Sequence, residues 1–235
     1  MELSNFVSIE IIIMETVETN TNVRQTVKLD IATDYICPWC YIGKQRLQKA
    51  LNTLSNQFDF EINFLPFQLN PEMSESGLNR KEYRSKKFGS WEKSQAMDVQ
   101  VTEAGKNEGL EFNYDKVLIT PNTLKAHLLT AYAQTMNKHE LIAASIFKAY
   151  FTDGKDIGNT AVLLDIAKET GLNVYEVQES LQSGNNKKQL NELEELNRER
   201  GINSVPVFII GNKAIVGAQP SEAFIAFITE NAKPE

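Results

Sequence analysis

Residues 27–43 read VKLDIATDYICPWCYIG and set the start of the fold. The first eight of them alternate apolar and polar side chains, which is the period of a β-strand. The motif Cys37-Pro38-Trp39-Cys40 follows directly. Beyond it, apolar residues recur at helical spacing on one face, at Leu47, Ala50, Leu51 and Leu54. The stretch therefore predicts a strand, a C-x-x-C motif and a helix in direct succession.

Both ends of the chain contribute further strands. Residues 58–67, FDFEINFLPF, alternate again and predict a second strand. Near the other end, residues 205–210 form a short apolar strand, Gly211-Asn212 a turn, and residues 213–216 its hairpin partner. Pro220 then opens a last helix. The two ends give strand–helix–strand and strand–strand–helix, and this alternation predicts an α/β fold with a small mixed sheet.

The middle of the chain, from about residue 71 to 184, has helical periods and lacks β-branched runs. It predicts a large all-helical insertion between the two halves of the sheet. The expected helices cover residues 91–108, 122–136, 138–151, 160–170 and 174–182, followed by one at 185–200.

Composition excludes several classes of protein. The chain has 235 residues, with 31 acidic and 24 basic side chains and a net charge of −7. No cluster of Lys and Arg favours nucleic acid or an anionic membrane. The apolar run Ile11–Met14 is too short to span a bilayer, and residues 1–23 lack the basic start of a signal peptide. We therefore predict a cytoplasmic protein, with either Met1 or Met14 as its start.

The two cysteines, Cys37 and Cys40, are the only ones in the sequence, which indicates a site and not a disulfide scaffold. Pro38 suits the first turn of a helix, so Cys37 is expected at the helix N-terminus. There the free N–H groups and the helix dipole stabilise a thiolate, which is the nucleophile of thiol chemistry. Cys40, one turn later, could attack a mixed disulfide at Cys37 and release the product.

Three other interpretations of the motif stay open. A zinc site would need His127 and His139, whose spacing of 12 residues is wrong for one. The cysteines could be buried and inert, although a position beside Pro38 at a helix start predicts exposure. The motif could also serve as a binding platform without turnover. We expect no metal.

Residues 34–43, DYICPWCYIG, resemble the active-site signature of the DsbA-like thioredoxin-fold proteins, specifically the FrnE-like branch. Four further stretches resemble that branch in the same order, and the likeness spans residues 27 to 230. They are Phe67-Gln68-Leu69-Asn70-Pro71, Pro121-Asn122-Thr123 with Ala126-His127, residues 201–206 (GINSVP), and Gly217-Ala218-Gln219.

The resemblance implies a thioredoxin-like domain formed by residues 24–70 and 186–235, a helical insertion domain at 71–185, and an extension at 1–23. It also implies a cis peptide between Val205 and Pro206 that faces the cysteines and exposes the Val205 backbone to an extended substrate. The plain alternative for Pro206 is a proline at the entry to a strand.

Other residues are weaker candidates. The backbone around Ala218 and Gln219 could hold a carboxylate such as that of glutathione, or form a plain turn and cap. Asn122 could face the active-site cleft, although with Thr123 it looks first like a helix cap. His127 could shuttle protons or be a hydrogen-bonded helix residue. Further candidates are Asp30 or Asp34 as proton acceptor for Cys40, Asp34 as a turn cap, and Trp39 as exposed contact surface.

The functional hypothesis is a thiol–disulfide oxidoreductase with Cys37 as nucleophile and Cys40 as resolving thiol, acting on protein or small thiol and disulfide substrates as a monomer or homodimer. The branch shades into 2-hydroxychromene-2-carboxylate isomerases and kappa-class glutathione transferases, which keep Ser at the first motif position. A glutathione-dependent transferase or isomerase is therefore the alternative, with glutathione as co-substrate and no tightly bound cofactor. A non-catalytic peptide-binding or chaperone module is the third. The second cysteine pair of some FrnE-like proteins is absent from this sequence.

Overall fold

A mixed four-stranded sheet joins the two ends of the chain in the computed structural model, which describes residues 24–232. Its strand order is β2-β1-β5-β6, in which β1 runs parallel to β2 and antiparallel to β5, and β5 runs antiparallel to β6. The strands are β1 (Gln25–Thr33), β2 (Phe58–Pro66), β5 (Val207–Ile210) and β6 (Lys213–Val216). The four predicted strands and the α/β class are confirmed.

The alternation in β1 gives the sheet two different faces. Val27, Leu29 and Ile31 are buried on the face covered by α1 (Pro38–Leu54) and α9 (Ser221–Asn231), which pack against each other. On the opposite face, Ala32 belongs to a smaller apolar cluster with Leu65, Phe67, Ile202 and Val207. Helix α8 (Gly184–Glu199) packs over β2.

The helical insertion between β2 and α8 follows the predicted pattern closely. Its long helices begin and end within about three residues of the expected positions: α3 (Trp91–Lys106), α4 (Leu124–Gln134), α5 (His139–Phe151), α6 (Thr160–Glu169) and α7 (Val174–Gln182). Their apolar faces join the main core, in which Phe147 and Phe151 are almost fully buried.

Two features of this region differ from the prediction, which placed only helices here, between residues 91 and 182. Helix α2 (Arg80–Phe88) precedes them, and the two-residue strands β3 (Leu78–Asn79) and β4 (Ile119–Thr120) pair antiparallel. Helix α2 is so polar that it has no apolar period to detect. Its caps are nevertheless visible in the sequence, since the Asn79 side chain accepts from the Glu82 N–H and Gly89 ends the helix at a φ of 90°.

The free edge of β2 is covered by the insertion. The Nε2 atom of His139, at the start of α5, lies 2.8 Å from the carbonyl oxygen of Ile62, and the Gln134 amide donates to the Asn63 side chain. An exposed strand edge invites pairing with other chains, so this contact protects the sheet.

The predicted extension at residues 1–23 lies outside the described residues. Within residues 24–232, no helix is long and apolar enough to cross a membrane.

Candidate active site

Cys37 lies between the end of β1 and the start of α1, as the motif predicts. It is the N-cap residue of α1, and Pro38 occupies the first helical position. The Cys37 N–H donates to the Asp34 carbonyl oxygen at 3.0 Å, and the Cys37 carbonyl oxygen accepts from the Cys40 N–H at 3.0 Å. The first turn of the helix therefore fixes both cysteines on one side of its N-terminus.

The loop before β5 lies against the first cysteine. The Val205–Pro206 peptide is cis, as the resemblance implies, and the Cys37 Sγ lies 3.8 Å from the Val205 carbonyl oxygen. Close approach of α1 to this loop depends on Gly43, where an added Cβ would lie 3.3 Å from Pro206 Cγ and 3.0 Å from Phe208 Cζ. On its other side, the loop is tied to Gly217, whose N–H donates to the Pro206 carbonyl oxygen at 2.8 Å.

The two cysteines are less exposed than expected. Cys37 is 6% exposed and Cys40 is 2% exposed, and both are free thiols. The prediction of an exposed motif is wrong for them because the Val205–Pro206 loop packs against Cys37. Trp39, between them, is 41% exposed, so its predicted exposure is confirmed.

Burial strongly affects the second thiol. Desolvation raises the pKa of Cys40 well above its ordinary value, and the neighbouring Cys37 raises it further. The Asp34 backbone N–H and the Thr33 hydroxyl act in the opposite direction by favouring the thiolate. Cys40 is therefore held as a neutral thiol, and it has to lose a proton before it can attack a disulfide.

Asp34, three residues before Cys37, is fully buried. Its Oδ2 accepts from the Leu69 N–H at 2.7 Å, so its side chain holds the loop after β2. Its Oδ1 lies 3.7 Å from His127 Nε2. Asp30, the other candidate carboxylate, accepts from the Asn63 side chain instead, at 2.9 Å.

A buried polar network on α8 holds the same loop, and no pattern in the sequence marks its key residue. Glu194, 5% exposed, accepts from both the backbone N–H and the side-chain amide of Gln68, each at 2.8 Å. Arg198 donates to Glu194 and to the Gln68 carbonyl oxygen, and its guanidinium lies over the Phe67 ring. In the sequence, Glu194 cannot be distinguished from the exposed glutamates of the same polar helix. Its partner Gln68 was marked, because it lies in the Phe67–Pro71 stretch.

The remaining predicted site residues have structural partners. The Asn122 side chain donates to the Met73 carbonyl oxygen and accepts from the Leu124 N–H at the start of α4, whose N-cap residue is Thr123 and has no side-chain cap bond. The Ala218 carbonyl oxygen accepts from Arg46, and the Gln219 amide donates to the Val216 carbonyl oxygen.

Two cysteines at the start of a helix, facing a loop with a cis-proline beside a mixed sheet, define a protein of the thioredoxin-fold class. Across residues 24–232, no group of three or more His, Cys, Asp or Glu side chains is arranged to hold a metal ion. The chain belongs to the DSBA-like thioredoxin domain family, whose model matches residues 28–228.

Known relatives agree with this assignment. The YwbO protein of Bacillus subtilis (strain 168) is 28% identical over 209 residues, which make up 88% of this chain and 98% of YwbO. A crystal structure of a probable DsbA oxidoreductase from Streptomyces coelicolor is similar at a TM-score of 0.82 and 25% identity, covering 89% of this chain and 92% of that one. A 2-hydroxychromene-2-carboxylate isomerase is similar at a TM-score of 0.65 and 16% identity, covering 86% and 94%.

Proposed function

We propose that the protein is a thiol–disulfide oxidoreductase that uses Cys37 as nucleophile and Cys40 as resolving thiol. The observation that carries this proposal is the free Cys37–Cys40 pair at the N-terminus of α1, with Cys37 against the Val205 carbonyl oxygen. Fold alone does not select the reaction, because an oxidoreductase and an isomerase have the same architecture. The residues favour disulfide exchange, because this reaction needs a second thiol and Cys40 lies one helical turn after Cys37.

The first step is attack of the Cys37 thiolate on a substrate disulfide. The N–H groups at the start of α1 and the helix dipole stabilise negative charge on that sulfur. A bond forms between Cys37 and one substrate sulfur, and the other substrate sulfur leaves as a thiolate. The Val205 carbonyl oxygen lies 3.8 Å from the reacting sulfur, and an extended substrate could pair with the Val205 backbone as an added strand does.

The second step is attack of Cys40 on Cys37. Cys40 gives up its proton, its sulfur bonds to Cys37, and the remaining substrate sulfur leaves as a thiolate. The substrate disulfide gains two electrons and the dithiol loses two. With an oxidised Cys37–Cys40 pair, the same steps run in reverse and oxidise a substrate dithiol.

A redox titration tests the proposal. The protein is equilibrated in graded glutathione buffers, its free thiols are alkylated, and the fraction modified is read from gel mobility. We expect one reversible two-electron transition, and its midpoint against a cytosolic poise of roughly −220 to −320 mV indicates the direction of electron flow.

Two matched substitutions complete the test. Cys37→Ser should abolish exchange, and Cys40→Ser should accumulate mixed disulfides with substrate or glutathione. Retained exchange in Cys37→Ser, or failure of the pair ever to form a disulfide, would contradict the proposal. Saturable glutathione binding that tolerates Cys40→Ala would favour a transferase or isomerase, and suppression of client aggregation without either cysteine would favour a chaperone.

A further inference from the structure

Asp34 and His127 face one another behind the dithiol, and each has a buried atom without a partner. Asp34 is 0% and His127 3% exposed, and their Oδ1 and Nε2 atoms are 3.7 Å apart. Within the described residues, neither atom makes a hydrogen bond. A movement of about 0.8 Å would bring them to an ordinary hydrogen-bond distance. Buried unpartnered polar atoms are rare and unfavourable, so this pair calls for a functional explanation.

His127 also lines a cavity in the described part of the chain. This cavity has a volume of about 730 Å³ and lies between β2, α4 and α8. Polar side chains of Asp30, Asn63, Thr130 and Gln134 contribute to its walls. It is large enough to hold water, and these polar side chains offer the water partners within an otherwise largely apolar lining. His127 therefore connects the buried Asp34 carboxylate to a space separate from the Val205–Pro206 loop, where the substrate would bind.

We propose that Asp34 and His127 form a proton relay that carries the proton of Cys40 into this cavity during the second step of exchange. The inference rests on the proposed function. Cys40 Sγ transfers its proton to Asp34 and bonds to Cys37, and the substrate sulfur leaves as a thiolate. Asp34 passes the proton to His127 Nε2, and the imidazolium releases a proton to water in the cavity. In the reverse direction, the same groups return a proton to Cys40.

Two tyrosines near the Asp34–His127 pair do not exchange protons near neutral pH, which leaves the pair as the route of proton transfer. Tyr35 packs against His127 with ring centroids 5.0 Å apart, and Tyr150 on α5 interacts with the Asp34 charge. Desolvation raises the pKa of both phenols above its ordinary value, so both stay protonated. An imidazole is the side chain whose ordinary titration range spans neutral pH, and it can accept a proton at one nitrogen and release one at the other.

The two steps can be separated with Ellman's reagent, 5,5′-dithiobis(2-nitrobenzoate). The reduced protein releases one thionitrobenzoate when Cys37 attacks and a second when Cys40 resolves the mixed disulfide, so stopped-flow absorbance follows both phases. We expect His127→Gln to slow the second phase on the order of 10²-fold at pH 7, the usual range of general acid–base catalysis, and to leave the first phase unchanged.

His139→Gln is the matched control. The chain has two histidines, and His139 is also partly buried but is hydrogen-bonded to the Ile62 carbonyl oxygen, away from Asp34. It should leave both phases unchanged. In His127→Ala, added imidazole should restore the second phase, and the restoration should increase with pH as imidazole loses its proton. A structural role for His127 would not give this dependence.

The unmodified protein gives a further test that does not depend on a variant folding. With a relay, the second phase should level off at alkaline pH, because the proton of Cys40 leaves through the buried pair and not directly to hydroxide. A second phase that keeps rising tenfold per pH unit beyond pH 9 would mean that Cys40 ionises directly to solvent, which would overturn the relay. Equal slowing of both phases in His127→Gln, or no slowing of the second, would also overturn it. If the wild-type protein shows no second phase, the proposed function itself fails.

Discussion

The buried carboxylate of Glu194 gives the sharpest prediction on stability. Replacing it with alanine removes the acceptor for two donors of Gln68 and one of Arg198. The Arg198 side chain is 37% exposed and can turn to water. Gln68 is 4% exposed and cannot, so its backbone N–H and side-chain amide lose their partners inside the protein.

The size of the effect follows from these contacts. Each buried donor left without an acceptor costs about 1–3 kcal/mol, and alanine returns a few tenths of a kcal/mol in helix propensity. We therefore expect Glu194→Ala to lower the free energy of unfolding by about 2–5 kcal/mol. Glu195→Ala removes the same charge from an exposed neighbouring position and should change it by no more than about 0.5 kcal/mol.

Urea unfolding followed by circular dichroism measures both variants. Hydrogen exchange adds a local measurement, since the Leu69 N–H that binds Asp34 should exchange faster once Glu194 no longer holds the loop. A difference between Glu194→Ala and Glu195→Ala smaller than 1 kcal/mol would refute the reasoning, because the buried network would then contribute nothing beyond surface charge.

Three further predictions concern the core and the thiols. Gly43→Ala should push the Pro206 loop away from the cysteines and slow both phases of the Ellman's reaction several-fold, because the new Cβ would lie 3.3 Å from that ring. Arg80→Met should destabilise the fold by about 3 kcal/mol in urea unfolding, since it leaves the buried Asp98 carboxylate with one cation fewer. The pKa of Cys40 is raised by folding, so the unfolded chain loses this proton first. The reduced protein should therefore keep its full stability below about pH 8.5 and lose stability as pH rises further, and Cys40→Ala should lack this loss when both are unfolded in urea at pH 7–9.5.

Much of the fold was predictable because the apolar residues of its strands and helices recur at regular strand or helix spacing. Strand β1 alternates from Val27 to Ile31, and α5 presents a continuous apolar face, so local pattern and tertiary burial agree there. Helix α2 was missed because its residues are almost all polar and it is stabilised by its caps and by Arg80, which is buried against Trp91 and Tyr114. Cation–aromatic contacts of this kind leave no periodic signal.

From the residues alone, the site was predictable only where it is local in sequence, and the Val205–Pro206 loop was placed against the cysteines only by the family resemblance. Cys37 and Cys40 follow from four consecutive residues, whereas Glu194 is 126 residues from Gln68. The burial of the cysteines was also missed, since it depends on a loop 168 residues away that closes over Cys37. Contacts of this range are set by the completed sheet and cannot be read from local composition.

The discontinuous sheet has a consequence for synthesis of the protein. Strand β1 is made early, but its antiparallel partner contains Ile209, which pairs with Asp30 near the end of the chain. At about 5–20 residues per second, the 168 residues between Cys37 and Val205 take roughly 8–34 s to translate. For that time the nascent chain carries both thiols without the loop that buries them. Both thiols are therefore more exposed to cellular oxidants on the ribosome than in the folded protein, where that loop covers Cys37.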